Sequence, residues 1–289
     1  MVPTKERAPS SVYAEYRGYG ILFDCGEGTQ RQMNINRINR NQVKLICISH
    51  WHADHVAGLP GLLQTINSAN TEQKIVILGP NETKNRVQQF MGATIFDDHL
   101  DIECIECDMN ATTKSYETAD FEIWTTPLVH STPVIGFSFV EKDKRRVDNE
   151  KKSALGLKDG PHLAQLQQGQ SVEVNGKMIN PDEVTFIEKG KKITYITDTL
   201  FCPNAITLAE GSDLLICEST YGREHAEKAE QYKHMTSSQA AQIASMSGSK
   251  KLVLTHFSQR YKQVDALLTE AKEIFVDTQA AYDFMKIKI

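Results

Sequence analysis

Residues 49–55 read SHWHADH, and the run VAGLPGLLQ follows at once. Three histidines and an aspartate fall within six positions, between the strand-like run VKLICIS (43–49) and a helix-like one. Polar side chains this close each need a partner once desolvated, so the cluster is not core packing. It fits a chain folded around a concentrated positive charge. On a helix, residues two apart point away from each other, so His50 and His52 can share a metal only from an extended loop. The adjacent Asp54 and His55 turn toward a second position.

Working outward, strand-like runs recur: GILFD (20–24), KIVILG (74–79), FEIWTTPLV (121–129), IGFSFVE (135–141), KITYITD (192–198), LLIC (214–217) and KLVLTH (251–256). Helix-like segments lie between several of them, at 58–68, 81–91, 236–247 and 262–273. This interleaving predicts an α/β domain whose sheets are flanked by helices. Four runs finish on a metal-ligating side chain: His50, His130, Asp198 and His256. In α/β sheets, ligands bind in the crevice beyond the strand ends. The candidate ligands are therefore His50, His52, Asp54, His55, His130, Asp198 and His256. Seven are too many for one catalytic zinc, which takes about three protein ligands plus water. With one bridging carboxylate they suit two metals about 3.5–4 Å apart. Imidazole and carboxylate without thiolate favour Zn²⁺, with Mn²⁺, Fe or Co as alternatives. The isolated His99, His162 and His225 read as ordinary surface or core histidines.

The 289 residues suit one domain with an arm, and 40% hydrophobic with 24% charged content is that of a soluble globular protein. No apolar run has transmembrane length and no leader opens the chain, so a cytoplasmic protein without membrane contact is expected. The six cysteines (25, 47, 104, 107, 202, 217) are scattered, several in apolar runs, and read as buried free thiols of a reducing compartment. The lone Cys104-x-x-Cys107 has no second pair to complete a zinc site. A net charge of −5 argues against general nucleic-acid binding but leaves room for a local patch. The polar, glycine-containing stretch 142–182 reads as an inserted arm. Its first part, 142–158, sets Lys142, Lys144, Arg145, Arg146, Lys151, Lys152 and Lys158 against three acids, a local +4 suited to phosphate contacts.

The His-x-His-x-Asp-His loop resembles the signature of the metallo-β-lactamase superfamily. PTKERAPSS (3–11), LFDCGEGTQRQM (22–33), SHWHADHVAGLPGLL (49–63), LGLKDGPHLAQLQQG (155–169), YITDT (195–199) and THFSQRY (255–261) together look like ribonuclease Z, in order and over nearly the whole chain. That resemblance implies an αββα sandwich with a projecting arm and two Zn²⁺ at one edge. It implies a first metal on His50, His52 and His130, a second on Asp54, His55 and His256, and Asp198 between them. Asp54 matches the family's general base. Glu218, in ICESTYG, and His234, in KHMTSSQAA, match a pair that delivers a proton to the leaving oxygen. A 3′-alkoxide leaves poorly unprotonated, and a carboxylate tunes and orients an imidazole. The implied activity is zinc-dependent endonucleolytic removal of the 3′ trailer from precursor tRNA, leaving a tRNA 3′-hydroxyl and a trailer 5′-phosphate. The implied assembly is a homodimer whose arms grip the tRNA elbow. The chain departs from the family pattern at Cys217, Met235, Ala164 and Gln167. It opens MVPT where the family has a strand ending in a glycine-containing turn, so either the start is misassigned or a first strand is missing, which would expose a sheet edge. The alternative on this fold is a small-molecule hydrolase: a sulfatase, phosphodiesterase or thioesterase.

Overall fold

The structure, a computed structural model, describes residues 2–67, 74–95 and 100–289. Strands β1 (Val12–Tyr16) and β2 (Tyr19–Phe23) open the chain as an antiparallel hairpin. Its two-residue turn, Arg17 and Gly18, has both φ angles positive (52° and 78°), the twist that tight hairpins favour. Helix α1 (Thr29–Ile35) leads to β3 (Val43–Cys47); α2 (Ala53–Val56) and α3 (Leu59–Asn67) lead to β4 (Lys74–Gly79); α4 (Thr83–Gly92) leads to β5 (Asp101–Glu106). These strands form a five-stranded sheet in the order β1-β2-β3-β4-β5, parallel from β2 onward. Residue 68, the end of the expected helix 58–68, lies outside the described residues, as does His99. The outer edge of the sheet is β1, with no strand beyond it among the described residues.

An antiparallel meander follows: β6 (Thr113–Glu117), β7 (Phe121–Pro127) and β8 (Ile135–Glu141). The chain then leaves the body through β9 (Lys144–Val147), α5 (Asn149–Ala154), α6 (Pro161–Gln167), β10 (Val172–Val174), β11 (Lys177–Ile179) and α7 (Pro181–Val184). It returns on β12 (Thr185–Glu188), antiparallel to β9. Leu157, Leu166, Val172, Ile179 and Val184 give this excursion a small core of its own. The body resumes with β13 (Lys192–Ile196), α8 (Pro203–Ala209), β14 (Leu214–Glu218), α9 (Ala226–Tyr232), α10 (Ser237–Met246), β15 (Leu252–Thr255), α11 (Asp265–Lys272) and β16 (Thr278–Ala280). The second sheet has seven strands in the order β16-β15-β14-β13-β8-β7-β6.

The period-two alternation of the strands builds the layers. Ile21, Phe23, Leu45 and Cys47 face the opposite sheet, where they meet Ile135, Phe137, Tyr195 and Ile216. The intervening Leu22 and Ile46 face Met33, Leu59, Leu62 and Leu63 on the first helical layer. On the far side, Ile196, Leu215, Cys217, Leu252 and Leu254 pack on Leu208, Ala240, Ala244 and Leu267 of the second helical layer. Helix, sheet, sheet and helix are thus stacked in that order. All six cysteines are free, and Cys104 and Cys107 belong to different layers of the core.

Candidate active site

Strand ends deliver the cluster. His50 stands three residues past β3, His130 three past β7, Asp198 two past β13 and His256 one past β15. Three strand-end residues, Asp24, Asp198 and His256, have φ of 56°, 44° and 57°. Left-handed conformations cost a non-glycine residue about 1–3 kcal/mol each, and they persist where the surroundings over-determine them. The turn after β2 presses on the histidine loop: a Cβ at Gly26 would lie 2.4 Å from the carbonyl oxygen of Asp54, so only glycine fits.

Asp198 lies between two groups. Its Oδ2 is 3.5 Å from His50 Nε2 and 3.8 Å from His130 Nε2. Its Oδ1 is 3.1 Å from His256 Nε2 and 3.5 Å from His55 Nε2. His52 brings Nδ1 to 2.9 Å from His50 Nε2, and Asp54 Oδ2 is 3.4 Å from His55 Nε2 and 3.5 Å from His256 Nε2. Candidate ligand atoms of His50, His52, His130 and Asp198 all lie within 4.8 Å of one another, and so do those of Asp54, His55 and His256. All seven residues lie in one cluster, and a third set, Asp198, His234 and His256, also has its candidate atoms within 4.8 Å of one another.

The surrounding hydrogen bonds fix which nitrogen each ring presents. His55 Nδ1 donates to Asp24 Oδ2 at 2.7 Å, and His256 Nδ1 to Thr220 Oγ1 at 3.0 Å. His130 Nδ1 donates to the Lys233 carbonyl at 2.9 Å, and His50 Nδ1 to Ser49 Oγ at 3.0 Å. Each of these rings turns its Nε2 inward. Converging lone pairs beside carboxylates are the donor set a divalent cation needs, so the residues fit two such ions. Burial pushes His50, His52 and His130 below the ordinary imidazole range, keeping them neutral as ligands must be. Burial also opposes the charge of His55, but Asp198 and Asp24 raise it well above that range, so cation binding there would release the Nε2 proton. Burial resists ionisation of Asp198 and Asp54 too; the histidines around them nonetheless hold both carboxyls well below the usual range.

Beside this cluster, Glu218 accepts four hydrogen bonds: from Thr199 N (2.7 Å), Thr220 N (3.3 Å), Thr220 Oγ1 (2.6 Å) and His234 Nδ1 (3.0 Å). The His234 ring stacks on His256 at 5.4 Å and stands 5.1 Å from His130. Burial alone would lower its pKa, but the charge and hydrogen bond of Glu218 raise it to about 9. Cys217 and Met235, next to this pair, are fully buried in the helix-side core.

Four supporting residues escaped the sequence reading: Asp24, Ser49, Tyr195 and Thr220. Buried Asp24 accepts from Ser49 N, Ser49 Oγ, Tyr195 Oη and His55 Nδ1, all at 2.7–2.8 Å. A usable signal existed, because Asp24 closes the run GILFD as His50 and His256 close theirs.

The seven cations expected to meet phosphate lie between β8 and α6, and six have acidic partners. Lys142 pairs with Glu117, Lys144 with Asp120 and Glu141, Arg145 with Asp182, Arg146 with Glu188, Lys151 with Asp148 and Lys152 with Asp159. Lys158 is exposed, with no ion pair found among the described residues. From Lys144 to Glu188 the excursion carries seven Lys/Arg and seven Asp/Glu, so the +4 of its first half is cancelled by its second. His225 packs against Tyr221 and Tyr261, and His162 lies on α6.

Fold and site together define a hydrolase of the metallo-β-lactamase class, with a cluster of histidines and aspartates able to hold a divalent metal. The model for the metallo-beta-lactamase superfamily matches residues 4–72, and that for the beta-lactamase superfamily domain matches residues 170–257. The chain is 37% identical over 289 residues to ribonuclease Z of Methanothermobacter thermautotrophicus, covering 100% of this chain and 93% of that one. It is 38% identical over 300 residues to ribonuclease Z of Gloeothece citriformis, with the same coverage. Human tRNase Z, short form, superposes with a TM-score of 0.72 at 27% identity, over 100% of this chain and 95% of that one. The chain belongs to the ribonuclease Z family.

Proposed function

We propose that this chain, an endoribonuclease by family, removes the 3′ trailer from precursor tRNA by metal-assisted phosphodiester hydrolysis. The two-sided Asp198, within a chain similar over its full length to ribonuclease Z, is the observation that carries the reading. His50, His52 and His130 would hold one ion and Asp54, His55 and His256 the other, with Asp198 placed between the two groups. Two Zn²⁺ suit this oxygen and nitrogen set, with Mn²⁺ an alternative. Bound there, such ions supply Lewis acidity toward the scissile phosphate and lower the pKa of water.

The protein's own groups do the remainder. Asp54, kept ionised by His256 and His55, orients the attacking water and accepts its proton. His234, with Nδ1 committed to Glu218, donates from Nε2 to the departing 3′-oxygen of the tRNA. The products are a tRNA 3′-hydroxyl and a trailer 5′-phosphate. The segment 142–182 is the inserted arm of a single domain. Lys142, Lys144, Arg145, Arg146, Lys151, Lys152 and Lys158 are its phosphate-facing candidates, Lys158 first, since the others are paired. The resemblance supports a homodimer in the cytoplasm. Free, mostly buried cysteines fit that compartment, and no helix among the described residues is long and apolar enough to cross a membrane.

The test is cleavage of a 3′-extended precursor tRNA by zinc-loaded protein beside Asp54→Ala, with both fragment ends mapped. One cut near the discriminator base, slowed about 10²–10⁴-fold in the variant, is expected. Intact RNA alongside hydrolysis of bis(p-nitrophenyl) phosphate would leave the metal centre and sink the substrate.

A further inference from the structure

A cavity of about 320 Å³ opens beside the cluster, lined by Trp51, Pro80, Asn81, Glu82, Arg86, Thr132 and Pro133. Trp51 is peptide-bonded to both His50 and His52, and Thr132 stands two residues past His130. Consecutive Cα atoms lie about 3.8 Å apart, so the cavity begins within one or two residue lengths of the ligands.

The half-buried indole that borders it is fixed. Its Nε1 donates to Thr83 Oγ1 at 3.1 Å, and its ring packs edge-on against Phe90 at 5.7 Å. Thr83 in turn donates to the Pro80 carbonyl at 2.6 Å. Arg86 is held over the rim by Glu82 at 2.8 Å, and Glu82 takes the strained φ of 71° from which α4 starts. A pinned aromatic ring, two proline rings and a guanidinium at the edge match an unpaired base and its phosphate: the flat faces stack and the cation meets the charge. Nothing in the proposed phosphoryl chemistry uses these groups.

We infer that this cavity is a nucleobase subsite that takes the first nucleotide of the trailer, stacked against Trp51 with Arg86 toward its phosphate. The inference rests on the endoribonuclease reading. His234, assigned to the departing oxygen, lies beside Glu218 and His256 of the second sheet. The cavity lies at the ends of β3 and β4, closed on its other side by Thr132 and Pro133 of the β7–β8 turn, and the fragment that keeps the phosphate is the one that enters it.

Two measurements test it. In the first, wild-type protein is titrated into a short 5′-phosphorylated RNA with 2-aminopurine at its first position. Stacking should quench the fluorescence, and Trp51→Leu should abolish the quench at saturation. In the second, a precursor tRNA with an abasic first trailer nucleotide should raise KM about tenfold on the wild type. That ratio should fall toward one on Trp51→Leu and stay intermediate on Trp51→Phe. Unchanged KM for the abasic substrate, a quench indifferent to Trp51, or a penalty only when the last tRNA nucleotide is abasic each overturns the subsite. If the wild type cuts no precursor tRNA, the enzymatic reading fails separately, and the titration still decides the cavity.

Discussion

At the scale of single residues, the proposed chemistry depends on protonation states set by immediate neighbours. His234 is the clearest case, because its pKa of about 9 comes from Glu218 overcoming burial. As the proton donor it is competent below that value, so the rate should fall as pH rises through about 9. Glu218→Gln removes the charge that holds the proton, and the alkaline limb should move to lower pH; a pH profile of kcat for the two proteins measures it. His234→Ala should cost about 10²–10⁴ in kcat and lose that limb altogether. Asp24 acts one step further out. By accepting from His55 Nδ1 it holds the ring so that Nε2 turns inward. Asp24→Asn should therefore weaken metal binding about 10–100-fold, read as metal retained after dialysis against a weak chelator.

At the scale of elements, α10 shows how local capping serves the site. Thr236 caps it by accepting from Gln239 N at 3.2 Å, and the Gln239 side chain returns to Thr236 N at 2.9 Å. The cap lies two residues from His234, so it also sets where the segment carrying that ring stops. Thr236→Ala should lower stability by about 1 kcal/mol, a Tm drop of a few degrees by circular dichroism. All eight apolar runs read from the sequence are strands, because each is buried and patterned. The helix-like segments correspond to α3, α4, α10 and α11. What escaped was the periphery. β5, DIECIE, alternates acids with apolar residues, and β6, TKSYE, is an edge strand that needs little apolar surface. The clustered histidines and aspartates were legible because strand ends are fixed by the strands themselves. Thr220 and Ser49 were not, since a hydroxyl's partner depends on which distant strand arrives beside it. The cancelling acids of the arm, Asp182 and Glu188, lie 37 and 42 residues from the arginines they meet, a distance no local charge count spans.

At the scale of the whole molecule, the cluster is a joint between the two sheets. His50, His52, Asp54 and His55 follow β3 of the first, whereas His130, Asp198 and His256 follow β7, β13 and β15 of the second. Two direct bonds already cross this joint: Ile135 N donates to the Ser49 carbonyl at 3.0 Å and Tyr195 Oη donates to Asp24 at 2.8 Å. Ions held on both sides would tie the sheets at the end where strained Asp24, Asp198 and His256 gather. A ligand that binds only the folded state stabilises it by about 4 kcal/mol at a thousandfold excess over its Kd. For a chain of this size that is on the order of 10 °C in Tm. Excess EDTA should therefore lower the unfolding temperature of the entire sandwich by about that amount, in one transition seen alike by far-ultraviolet circular dichroism and tryptophan fluorescence. Trp51 reports from the first sheet and Trp124 from the second, so a fluorescence change confined to one tryptophan would mean that the ions brace a loop rather than the joint.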